Sequence, residues 1–151
     1  MRTHILAELF ERDLRQFAAE IELYPDEALL WKVQADISNS AGNLCLHLVG
    51  NLQHFIGAVL GGTGYVRDRP REFSDKQVPR AELLRQLEAT IAVVNDALRR
   101  LPEAALLADY PLEKRGEIVP TDHMLLHLYG HLSYHLGQVN YHRRLVGQFK
   151  T

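Results

Sequence analysis

The sequence lacks the features that mark a secreted or membrane-bound protein. A single cysteine, Cys45, cannot form a disulfide within the chain. No run approaches the roughly 18 consecutive apolar residues of a transmembrane helix, and the first residues are amphipathic, without the unbroken apolar core of a signal peptide. We therefore expect a cytoplasmic protein that has no membrane as a partner.

The sequence also lacks an excess of charge of either sign. The 17 basic and 19 acidic residues give a net charge of -2 and are spread along the chain. Proteins that bind nucleic acid usually present a basic stripe or patch to the phosphate backbone, and none is evident here. Nucleic acid is therefore not an expected partner.

Several catalytic motifs are missing as well. No glutamate is followed by histidine three positions later, although di-iron carboxylate bundles need such pairs. His-Glu-x-x-His, a glycine-rich phosphate loop and the Gly-x-Ser-x-Gly turn of serine hydrolases are also absent. Any enzymatic activity must therefore come from another set of side chains.

The apolar residues recur at steps of three and four in four segments, and this period is typical of amphipathic helices. Helices are predicted at about 3–24, 40–60, 80–101 and 121–147, separated by a charged loop at 61–78 and an irregular, proline-containing connection at 102–120. With 151 residues, 46% of them hydrophobic, the chain has the size of one domain, 1–151. We predict an all-α fold, a four-helix bundle.

The fourth segment contains four histidines at a spacing of four, in HMLLHLYGHLSYH at 123–135. Residues four apart on a helix differ in direction by only about 40°, so His127, His131 and His135 share one face. That face borders the apolar stripe, which directs the imidazoles obliquely into the bundle. Gln138 and Tyr141 lie on its other flank, where they could line a pocket.

The second segment repeats this arrangement, with Asn43, His47, Asn51 and His54 beside an apolar stripe. If the two helices are neighbours, one histidine of the second meets two of the fourth. Two imidazoles at i and i+4 with a third from another helix can hold Zn, Ni, Fe or Mn and leave a coordination position open. The alternative is a buried polar cluster that only packs, in a non-catalytic helical binding or interaction module.

Two stretches resemble the DinB-like superfamily, which includes the YfiT-type metal-dependent hydrolases. They are LCLHLVGNLQHFI at 44–56 and LYGHLSYHLGQVNYHRRL at 128–145. The resemblance covers nearly the whole chain and implies a divalent metal ion at one end of a four-helix bundle. It assigns the ligands, a histidine triad, to His47, His131 and His135, with His54 as the competing residue on the second helix.

The resemblance further implies a metal-dependent enzyme, either a thiol S-transferase or a hydrolase, that acts on a small-molecule substrate. A low-molecular-weight thiol such as bacillithiol, mycothiol or glutathione is a possible second cofactor, and a homodimer is expected. The candidates for orienting ligand or metal-bound solvent are Gln138, Tyr141 and Asn51. The candidates for contacting substrate, in the loop VRDRPREF, are Arg67, Arg69 and Glu72.

Overall fold

A computed structural model describes residues 1–147, so the last four residues of the predicted domain 1–151 lie outside the described residues. Within 1–147 the structure contains helices and two isolated β-bridges but no strand, which confirms the all-α prediction. Among these residues, no helix combines the length and the apolar character that crossing a membrane requires.

Four long helices form the body, and their positions agree with the predicted segments. The α-helices are α1 (Arg2–Glu22), α2 (Ala41–Leu52), α3 (Arg69–Ser74), α4 (Arg80–Arg100) and α5 (Thr121–Val146). A π-helical turn, Gln53–Ala58, continues α2, and two 3₁₀ turns cover Glu27–Trp31 and Glu103–Leu107. The α2 helix and its π turn together span the second predicted helix.

The long helices pack as a bundle in which α1 and α2 each contact both α4 and α5. Helices α1 and α2 therefore occupy diagonal corners, and so do α4 and α5. Two long connections cross the bundle between diagonal helices. Residues 23–40 join α1 to α2, and residues 101–120 join α4 to α5. This order makes α2 and α5 direct neighbours, as the predicted site requires.

Apolar faces of all four long helices fill the core, and on α1 the stripe of Phe10, Leu14, Phe17 and Ile21 is fully buried. Two buried carboxylates of α1 hold α5 in place. Asp13 accepts a hydrogen bond from Ser133 (2.9 Å), and Glu20 accepts hydrogen bonds from Asn140 and Arg143 (both 2.7 Å). These contacts fix the rotation of α5 about its axis and so the direction of its histidine face.

The predicted loop at 61–78 is not wholly irregular, because it contains the short helix α3. Asp68 caps this helix by accepting from the Arg71 amide (3.3 Å), and Pro70 lies in its first turn. Six residues are too few to show helical periodicity in a charged sequence, so α3 could not be predicted from the spacing of apolar residues. The helix packs on α2 and belongs to the candidate site.

Candidate metal centre

Three histidine side chains from α2 and α5 converge at one place in the bundle. The Nε2 atom of His131 lies 3.1 Å from Nε2 of His47 and 3.0 Å from Nε2 of His135. One ring nitrogen from each residue lies within 4.8 Å of the other two. The structure therefore brings together the three residues that the sequence predicted as metal ligands.

His54, the other candidate on the second helix, does not join this group. It follows His47 by seven positions, which is about 10 Å along a helix axis, too far to share one ion. Its ring packs against the neighbouring Phe55, at a centroid distance of 4.7 Å. His123 and His127, earlier in the histidine row of α5, are exposed and lie outside the group of three.

The hydrogen bonds around the rings indicate which nitrogen carries the proton. Nδ1 of His47 lies 2.9 Å from the Glu72 carboxylate, and Nδ1 of His135 lies 2.7 Å from the side-chain oxygen of Gln138. Both oxygens are acceptors, so each Nδ1 carries the hydrogen and each Nε2 presents a lone pair. Two lone pairs thus point towards Nε2 of His131.

His131 cannot satisfy both neighbours by itself. Its Nε2 carries at most one hydrogen, so one of its two contacts at about 3 Å must bring lone pairs together. Its buried Nδ1 has no hydrogen-bond partner. A cation among the three Nε2 atoms removes this conflict, and ligands about 2.05 Å from a tetrahedral ion lie about 3.3 Å apart, close to the observed spacing. The donor set therefore fits a divalent metal ion.

Burial favours the neutral imidazole of His131 and of His135. Desolvation, with smaller contributions from His135 and His47, lowers the pKa of His131 to about 4. Desolvation also lowers the pKa of His135, although its hydrogen bond to Gln138 opposes the shift. Neutral imidazole is the form that binds a metal ion, so His131 and His135 can bind one at neutral pH without a proton having to leave.

These shifts predict that the metal-free protein loses stability in mild acid. The unfolded histidines titrate near 6.5 and folded His131 near 4, so the unfolded chain binds more protons between these values. Stability should be fully present above pH 6.5 and fall progressively below it. Urea midpoints measured from pH 7.5 to 5 would show the decline, and His131→Asn should make it shallower. A midpoint that is constant over this range would contradict the prediction.

A buried ion pair supports His47 from the side away from α5. The Glu72 carboxylate, 6% exposed, receives Nε and Nη2 of Arg67 at 2.7 and 2.8 Å in addition to Nδ1 of His47. Burial alone would raise the pKa of Glu72, but the hydrogen bonds from His47 and Arg67 hold it below the usual value. Glu72 is therefore a charged acceptor for His47 at neutral pH.

Three residues around this pair were not identified as functional from the sequence. Asn43 donates from its amide to the backbone oxygens of Glu72 and Asp75 (both 2.9 Å), and the Phe73 ring packs on the His47 ring at a centroid distance of 5.0 Å. Gly50 faces the Glu72 carboxylate so closely that a β-carbon there would lie 1.9 Å from Oε2. A glycine inside a helix, three positions after a candidate ligand, is the signal that could have indicated such a close approach.

A cavity of about 380 Å³ opens beside His135. Its walls include Gln138 and Tyr141, which the sequence predicted as pocket residues. Apolar side chains complete them, among them Leu145 of α5, Leu44 of α2 and Ile37 of the connection before α2. Tyr141 is 64% exposed, and its ring lies under the Arg144 guanidinium. The cavity joins one ligand of the histidine cluster to a mixed polar and apolar surface of the size that a small molecule needs.

The other predicted site residues lie apart from this cavity. Asn51 is buried one turn after His47, and its side-chain oxygen has no hydrogen-bond partner. Arg69 is exposed and stacks over the Phe73 ring at 5.2 Å, whereas Arg67 and Glu72 pair with each other. The predicted contacts of these residues with ligand or substrate stay predictions.

The family model of the DinB superfamily matches residues 9–139. The matched region contains α2, α3 and α4, the part of α5 that holds His131 and His135, and most of α1. No curated protein matches the chain significantly.

Proposed function

The chain belongs to the DinB superfamily, and from this premise we propose that it is a metal-dependent enzyme whose ion is held by His47, His131 and His135. The reaction that we propose is thiol S-transfer or hydrolysis on a small-molecule substrate. Zn, Ni, Fe and Mn all accept imidazole ligands, so the ligand set does not select among them.

One observation carries this proposal, namely the convergence of three Nε2 atoms. The two contacts among these atoms need two donated hydrogens, but only His131 can supply one. A cluster that only packs would be expected to satisfy its polar atoms internally. Here Nε2 of His131 faces two acceptors, at 3.0 and 3.1 Å, and can donate to only one of them. The cluster is therefore better explained as ligands than as structural contacts.

A bound divalent ion with an open position supplies a Lewis acid that lowers the pKa of water or of a thiol. The residues of the chain bind and orient the other reactant. The cavity beside His135 supplies apolar walls and the exposed hydroxyl of Tyr141, and Gln138 keeps the His135 ring in one tautomer. A low-molecular-weight thiol and an electrophile, or one hydrolysable substrate, can be accommodated there.

Thermal stability tests the metal directly. Removing metal with a chelator should lower the melting temperature, and adding Zn²⁺ should restore it, because a ligand that binds only the folded state stabilises it by about 2.7 kcal/mol at 100 times its Kd. His54→Ala, on the same helix but outside the cluster, should respond like the parent. A melting temperature indifferent to both chelator and Zn²⁺ would contradict the proposal.

The two reaction classes are separated by their co-substrates. A thiol S-transferase consumes a thiol such as glutathione in proportion to product, whereas a hydrolase gives product without one. Loss of all activity in chelator, restored by one metal of the four, is expected in either case. Metal binding with no turnover of any thiol or ester would instead support a non-catalytic binding module. The predicted homodimer stays a prediction.

A further inference from the structure

The carboxylate of Glu72 is fully engaged by two neighbours that serve different purposes. Its Oε1 accepts from Nδ1 of His47 at 2.9 Å and from Nη2 of Arg67 at 2.8 Å, while Oε2 accepts from Nε of Arg67 at 2.7 Å. Arg67 supplies the opposite charge that a buried carboxylate needs. The hydrogen bond from His47 does not serve to balance this charge, and its effect is on the tautomer of the imidazole.

The surroundings hold this carboxylate in one place. Gly50 provides the space, since a β-carbon there would lie 1.9 Å from Oε2 and 2.7 Å from Cδ of Glu72. Asn43 binds the backbone oxygens of Glu72 and Asp75 from the preceding turns of α2. The polar stripe of α2 thus has a function that its spacing alone did not reveal, because it anchors the segment 67–76.

Metal-binding histidines commonly donate their second ring nitrogen to a carboxylate, which fixes the tautomer and the ring orientation and makes the imidazole a better ligand. We propose that Glu72 is the positioning residue of the metal centre, holding His47 as the Nδ1–H tautomer with Nε2 directed at His131 and His135. The effect on metal affinity rests on the proposed function, whereas the hydrogen bond between His47 and Glu72 does not. Glu72 thereby couples the segment 67–76 to metal affinity.

The test compares Glu72→Ala and Glu72→Gln with Asp75→Asn. The control removes one negative charge from the same segment, and the Asp75 side chain pairs with Arg71, away from His47. We expect the Kd for Zn²⁺ to rise by about 10- to 100-fold in Glu72→Ala, the usual effect of losing such a partner. Glu72→Gln, which keeps an acceptor in the same place, should have a smaller effect, and Asp75→Asn should have none.

A second measurement reads the tautomer itself. In the parent protein, ¹⁵N NMR of the histidine side chains should show His47 protonated at Nδ1, with and without Zn²⁺. In the metal-free proteins, where no ion fixes the ring, Glu72→Ala should change this signature while Asp75→Asn leaves it intact. Parent-like Zn²⁺ affinity in Glu72→Ala would overturn the inference, and so would an unchanged His47 tautomer in the metal-free variant. If the parent itself fails to bind metal, the proposed function fails, and the tautomer measurement in the metal-free protein still decides the role of Glu72.

Discussion

Replacing His131 with alanine is expected to reduce metal content from about one ion per chain to almost none. His131 lies between the other two ligands, with its Nε2 3.1 Å from that of His47 and 3.0 Å from that of His135. Without it, two imidazoles from different helices remain, and they lack the chelate of adjacent turns on α5. The loss of affinity should exceed the roughly 100-fold that supporting residues produce at most.

The matched control is His127→Ala, one turn earlier on the same helix. His127 is exposed and outside the group of three, so its removal should leave the metal content unchanged. Elemental analysis of untagged proteins, purified without chelator and reloaded in parallel, measures both variants. Parent-like content in His131→Ala, or equal losses in the two variants, would refute the assignment of His131 as a ligand.

The second large effect is expected from Gly50→Ala. The added methyl group would collide with Glu72, and moving the carboxylate would break its hydrogen bonds to His47 and Arg67. We expect a loss of about 1–3 kcal/mol of stability from overpacking and broken buried hydrogen bonds. Metal affinity should fall as well, because the support of His47 moves.

Gly130→Ala provides the comparison, since Gly130 also lies inside a long helix but nothing lies within 4 Å of a β-carbon built there. Alanine should therefore stabilise the protein by about 0.5–1 kcal/mol, the usual gain when a helical glycine is replaced. Urea unfolding of the two variants should move the midpoint in opposite directions. If Gly50→Ala left the stability unchanged or raised it, the Glu72 side chain would have moved aside without loss of stability, and the prediction would be wrong.

Much of the fold could be predicted because the apolar residues of a long amphipathic helix recur at every third or fourth position of the sequence. Four such segments, each ending near a glycine or a proline, suffice to indicate α1, α2, α4 and α5. The diagonal arrangement of α1 and α2 could not be predicted in the same way. It depends on the path of the connections, which carry no periodic signal.

The cluster of three histidines could be predicted on similar grounds, but the residues that support it could not. His131 and His135 lie one turn apart on α5, and the resemblance to the DinB-like superfamily favoured His47 over His54, in agreement with the cluster observed. Glu72 was predicted to contact substrate. Its position against His47, 25 residues away in sequence, depends on how the segment after α2 folds back, and local spacing does not contain that information.

The separation of the ligands along the chain has a consequence for folding. His47 and His131 are 84 positions apart, and two of the three histidines of the cluster are on α5, which follows the other helices in the sequence. Closing so long a loop is slow and costs chain entropy before any contact offsets it. An ion held by all three histidines would therefore bind tightly only after α5 has docked, and its capture would mark the completion of folding and raise the barrier to unfolding instead of guiding the chain towards its native state.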